Sequence, residues 1–214
     1  MLRTRSNKAN VFPLVVMVLI SFTVLFSFSA CRTRVKRMDT DKVKDLSGRW
    51  NDTDSRLVSE EMIKDFLADP RVERFSAESG KIPDVIVGRV LNKSQEHINT
   101  ETFVKDLERA LIRSDKVNFV ASKGERIGVR EEREDMQTHA ETSTRKSPYR
   151  EAGADLMVMG QMNTIFDEER TWFFKRSVAF YQVELEAVNM KNNRKVWIGQ
   201  KKIKKYIRRP KAKL

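Results

Sequence analysis

Three residues carry the reactive side chains of this chain: one cysteine, Cys31, and two histidines, His97 and His139. A catalytic histidine needs a partner group within hydrogen-bond reach. His97 lies in "NKSQEHINTE", where the neighbouring Glu96 points elsewhere in most loop geometries. It therefore reads as a structural or interface residue ahead of an acid or base. His139 falls in a polar stretch and reads as solvated. Met157, Met159 and Met162 recur in "ADLMVMGQM", the first two on one face at strand spacing. With no His or Cys beside them they read as core filler rather than metal ligands. The sequence contains no G-x-S-x-G, P-loop, H-E-x-x-H or G-x-G-x-x-G pattern. One cysteine cannot close an intrachain disulfide, and structural zinc needs paired ligands at fixed spacing. Nothing in these residues argues for an enzyme, and no cofactor is expected.

Cys31 stands where an apolar run ends and a basic run begins, in "SFSACRTR". Arg3, Arg5 and Lys8 precede "VFPLVVMVLISFTVLFSFSA", which holds no charge, so residues 1–30 read as the n-region and h-region of a signal peptide. Such a run could also span a bilayer as an uncleaved helix. Arg32, Arg34, Lys36 and Arg37 make the far side as basic as the near side, so the bias that would orient a spanning helix is missing. Ser29 and Ala30 ahead of Cys31 resemble a bacterial lipobox, with Phe28 departing from its usual aliphatic residue. That resemblance implies lipid on Cys31, cleavage just before it, and a permanent membrane attachment. Arg32 stands where an aspartate would favour inner-membrane retention, which points to the periplasmic face of the outer membrane.

The formal charge of +12 is unevenly placed. Residues 191–214 hold Lys and Arg with no Asp or Glu, and once they and the leader are set aside the body is close to neutral. The terminal "KKIKKYIRRPKAKL" could be a solvated end or could touch anionic lipid or a cell-wall polyanion. Nucleic acid is not expected as a partner, because an exported protein has little access to it.

The elements that must position these residues form one α/β domain, expected over residues 46–207, behind a lipidated cysteine and linker at 31–45 and ahead of a basic tail at 208–214. Ser59, with Glu60 and Glu61 after it, is the expected N-cap of a helix that Pro70 ends, with Met62, Ile63, Phe66 and Leu67 on its apolar face. "DVIVGRVLN" at 84–92 reads as a buried strand, Asn99 caps an amphipathic helix, and "VNFVA" at 117–121 is a second strand. Together they make a βαβ crossover. "GERIGVREEREDMQTHA" is a peripheral helix, and "SPYREAGAD" suggests a short one with Ser147 as cap, Pro148 at its first position and Gly153 as its stop. In "SVAFYQVELEAVNM", Tyr181, Val183, Leu185 and Ala187 alternate with Gln182, Glu184 and Glu186, and "KNNR" turns the chain into a returning strand. The fold class is α/β, a mixed β-sheet with flanking helices and an antiparallel end.

Loops held by a rigid scaffold carry function, and the loop after the first strand displays Asn92, Glu96 and His97 as candidate partner-binding residues. The simpler alternative is that Asn92 and Asn99 only end the strand and cap the helix. A second candidate surface is the polar face of the hairpin around Gln182, Glu184 and Lys202.

"GRWNDTDSRLVSEEMI", "VGRVLNKSQEHINTETFVKDLERALIRS", "VNFVASKGER", "GADLMVMGQMNTI", "FYQVELEAVNM" and "KVWIGQKKIKK", in this order, resemble the LpoB family of penicillin-binding protein activators. The resemblance implies an outer-membrane lipoprotein with a domain like the N-terminal domain of TolB. It also implies a non-enzymatic regulator that stimulates a bifunctional class A penicillin-binding protein in peptidoglycan synthesis. The alternative is a structural envelope lipoprotein that binds glycan or another envelope protein without activating a synthase. Well-studied members carry a long arm between lipid and domain. A linker over residues 32–45, at about 3.5 Å per residue, reaches roughly 50 Å at most.

Overall fold

The computed structural model describes residues 35–40 and 42–210. The leader, Cys31 and the last four residues of the basic tail lie outside the described residues. The chain divides after Lys42, and every element below belongs to the unit that begins at Val43. In chain order these are α1 (Asp52–Ala68), α2 (Pro70–Ser79), β1 (Asp84–Asn92), α3 (Thr100–Arg113), β2 (Asn118–Phe119), α4 (Lys123–His139), β3 (Leu156–Arg170), β4 (Phe174–Asn189) and β5 (Lys195–Pro210).

The five strands form a mixed sheet in the order β2-β1-β3-β4-β5, with β1 parallel to both β2 and β3 and the β3-β4-β5 meander antiparallel. The expected strand, helix, strand unit is β1-α3-β2, and Asn99 caps α3 by accepting from the Glu101 amide. Apolar residues at alternate positions bury one face of the sheet: Val85, Val87, Leu156, Val158, Tyr181, Val183, Leu185, Ala187 and Trp197. The alternation in β4 therefore points inward as its pattern requires. Against this face pack Val58, Met62 and Phe66 of α1 and Phe103, Leu107 and Leu111 of α3. Phe66 meets Trp197 edge-on at 5.2 Å, and the Trp197 indole donates to Asp65 Oδ2 at 3.1 Å, which pins α1 to β5.

Two helix expectations are corrected. α1 starts at Asp52, not after Ser59: Asn51 caps it, and Asn51 and Asp54 close a reciprocal capping box. Ser59 is buried inside α1 and donates back to the Arg56 carbonyl at 2.9 Å. No helix forms at "SPYREAGAD". That stretch has no apolar face to bury, Tyr149 being 92% exposed, and a short helix cannot meet its nucleation cost without one. Glu151 instead draws the segment onto α4, where Arg126, Arg130 and Arg133 surround its carboxylate.

The methionine reading divides. Met162 is buried in the core, while Met157 and Met159 share the opposite, outer face of the sheet. They line a shallow groove there with Leu91, Gln161, Glu184 and Ile198.

Candidate partner interface

The loop from Asn92 to Asn99 is shaped by its own side chains. Asn92 accepts from the Ser94 amide at 2.9 Å, and its side-chain amide donates to the Glu96 carbonyl at 2.8 Å. The Ser94 hydroxyl closes the same knot by donating to Asn92 Oδ1 at 2.6 Å. Asn92 thus spends its polar atoms on the loop itself.

Glu96 faces the domain. One carboxylate oxygen accepts from the Trp50 amide at 3.2 Å and the other from the Tyr181 hydroxyl at 2.9 Å. Burial, and then the Glu96 carboxylate, hold the Tyr181 phenol well above its ordinary pKa, so it stays a donor. Trp50 packs against Tyr181 at 5.6 Å and Phe103 at 6.2 Å. These contacts join the loop, the centre of β4 and the chain segment leading into α1.

That segment, residues 45–51, is docked across β5. Lys205 reaches Asp45 at 2.7 Å, Asp54 at 2.5 Å and the Arg49 carbonyl at 3.0 Å. Burial alone would lower the Lys205 pKa, but the Asp45 and Asp54 carboxylates hold it above its ordinary value. Arg209 donates to the Ser47 carbonyl at 2.9 Å. Gly48 turns there with φ near +70°, the left-handed region open to glycine, and a Cβ at this position would lie 2.2 Å from Ile207 Cγ1.

Between loop and segment lies a polar cleft of about 530 Å³, lined by Arg49, Gln95, Glu96, His97, Lys175 and Arg209 among others. His97 is exposed on its rim. Of the three candidate residues, His97 and Glu96 line this cleft; Asn92 shapes the loop behind it. Sequence reading missed Arg49, Lys175 and Arg209, which come from three other parts of the chain. Only their shared positive charge hinted at a common role. Among the described residues, no group of His, Cys, Asp and Glu side chains is arranged to hold a metal ion.

The second candidate surface is on the outer face of the sheet. Glu184 accepts from Gln161 at 3.0 Å, Gln182 at 2.6 Å and Gln200 at 3.1 Å, and these hydrogen bonds hold its carboxyl below the usual range. A side chain so satisfied within its own sheet gains little from a partner.

Residues 54–203 match the model of the family described as peptidoglycan-synthase activator LpoB. The chain belongs to the LpoB family. Among solved structures, this LpoB-family chain is 12% identical to the LpoB C-terminal domain from Salmonella enterica, with a TM-score of 0.35, covering 63% of this chain and 93% of that one. It is 14% identical to the corresponding Escherichia coli domain, with a TM-score of 0.34, covering 64% and 93%. Against the solution structure of Escherichia coli LpoB the identity is 10% and the TM-score 0.36, covering 98% and 90%. No curated protein matches the chain. The family match spans α1 through most of β5, so it contains the loop and Lys175 but leaves Arg49 and Arg209 outside.

Proposed function

We propose that this LpoB-family domain is a lipid-anchored regulator of the outer membrane's periplasmic face, and that it binds and stimulates a bifunctional class A penicillin-binding protein through the cleft at His97. The family match over residues 54–203 carries the reading. The geometry adds a division of labour. Glu96 and Asn92 hold the loop rigid, and the exposed His97 and Arg49 offer donors to a partner without cost to the fold. A preformed loop loses little entropy on binding. Stimulation follows if the active conformation of the synthase fits this rim better than the inactive one, since only differential affinity can shift an equilibrium.

The test pairs binding to a purified class A synthase with a lipid II polymerisation assay. H97A with R49A weakens binding by about 1–3 kcal/mol, lowers stimulation in parallel and leaves the melting temperature unchanged. E96A lowers the melting temperature, because it frees the Tyr181 hydroxyl and the Trp50 amide. Wild-type affinity in the H97A/R49A variant would move the interface off this cleft. Failure of the wild-type chain to bind or stimulate any such synthase would favour a structural envelope lipoprotein.

A further inference from the structure

The β3-β4 hairpin ends in a turn whose chemistry its backbone does not explain. Thr171 and Phe174 close it: the Thr171 amide donates to the Phe174 carbonyl at 2.9 Å, and the Phe174 amide donates to the Thr171 hydroxyl at 3.2 Å. Trp172 and Phe173 occupy its two central positions, where Gly, Asn or Asp are the usual choices. They are 85% and 61% exposed, so two large aromatic rings stand largely in water at the tip of this long hairpin, Phe173 meeting the Phe174 ring at 6.2 Å. Rings left this exposed contribute little to folding.

The surroundings of the tip are cationic. Asp167, Glu168 and Glu169 on β3 are matched in number by Arg170, Lys175 and Arg176, and Glu168 and Glu169 are paired directly with them. Lys204, Arg208 and Arg209 on the adjoining end of β5 are then in surplus, and the sequence continues with Lys211 and Lys213. Arg208 lies over the Phe174 ring at 4.3 Å from its centroid, and Arg176 at 5.4 Å, so positive charge is held against the aromatic cluster itself.

We infer that the Trp172–Phe173 tip is a membrane-contact element that inserts into the interface of an anionic phospholipid surface. The two central rings form a convex tip rather than a walled pocket, and a soft interface can take up a convex tip. Tryptophan prefers the headgroup level, and nearby Lys and Arg side chains are drawn to an anionic leaflet. A lipid chain and a basic aromatic tip would be two separate membrane signals, the combination that makes attachment stable. Lys175 and Arg209 border both the tip and the cleft, but Trp172, Lys204 and Arg208, on which the test rests, lie outside the cleft, so this inference and the synthase reading can fail separately.

The chain has a built-in probe. Trp197 is buried and Trp50 half-buried, which leaves Trp172 as the one exposed tryptophan among the described residues. The full chain, as purified from cells, is mixed with vesicles containing phosphatidylglycerol whose acyl chains are brominated. The expected result is a blue shift and quenching of emission that W172F abolishes. Phosphatidylcholine vesicles or high salt should suppress it, and K204Q with R208Q should reduce the inserted fraction about tenfold or more. Trp172 emission that ignores anionic vesicles overturns the inference. A shift produced by peptidoglycan sacculi or by the synthase, and not by vesicles, overturns it in favour of those partners.

Discussion

Lys205 on β5 places its ammonium 2.5 Å from Asp54 Oδ2 in the first turn of α1, with both side chains 11% exposed. The same ammonium holds Asp45, so one cation fixes the entry of the chain into the domain and the start of its first helix. Removing one partner of a buried pair costs more than the pair itself contributes, because the other charge is left unpaired. Lys205→Met should therefore destabilise the domain by about 3 kcal/mol, measured by urea denaturation.

The turn at Gly48 gives a second prediction. Gly48→Ala forces an L-residue into φ near +70° and drives its Cβ into Ile207, at a cost of about 1–3 kcal/mol. Ile207→Ala in the same chain removes the colliding atoms, so the two substitutions together should cost less than their sum. Additive costs in thermal melts would mean the contact is not made.

In the centre of β4, Leu185 is fully buried between Gly160 and Gly199 on the neighbouring strands. Leu185→Ala leaves a cavity that flanking glycines cannot fill, and should cost about 2–5 kcal/mol. Coincident denaturation curves would mean that the alternation in β4 faces the other way.

At the start of α4, hydrogen bonds from Lys105 and then from Ser122 lower the Glu125 carboxyl from 4.5 to about 2. A carboxyl with a depressed folded value contributes stability above its unfolded value and loses it as pH falls through the folded one. Helicity should therefore weaken between pH 4.5 and about 2. Glu125→Gln should flatten that acid limb in far-UV circular dichroism. An unchanged pH profile would remove Glu125 as its source.

For the anchor, Cys31→Ser should abolish lipid labelling and leave uncleaved precursor, since serine offers no thiol to alkylate. Mass spectrometry of the membrane fraction reads both outcomes. A wild-type mass for the variant's membrane form would rule the lipoprotein reading out.

The sequence by itself determined the elements whose signals are local. The Asn99 cap, the stripe of Phe103, Leu107 and Leu111, and the alternation from Tyr181 to Ala187 each reside in a few consecutive residues, and each appears in the structure as read. The start of α1 was also legible, as Asn51 three residues before Asp54, but Thr53, Asp54 and Ser55 hid it because polar residues suggest solvent. They are buried because Ser55 donates to Asp106 on α3 at 2.9 Å and Asp54 receives Lys205, partners more than fifty residues away. The candidate site divides in the same way. The loop residues Glu96 and His97 stood out as polar side chains between a strand and a helix, whereas the far wall of their cleft, Arg49, Lys175 and Arg209, is assembled only when β4 and β5 pair and the segment before α1 docks across them. Local propensity acts over a helical turn or a pair of strand residues, so it can name a cap or a buried face. Which charges meet, and which aromatic rings are left facing water at Trp172 and Phe173, is set by long-range packing, and only the tertiary structure decided it.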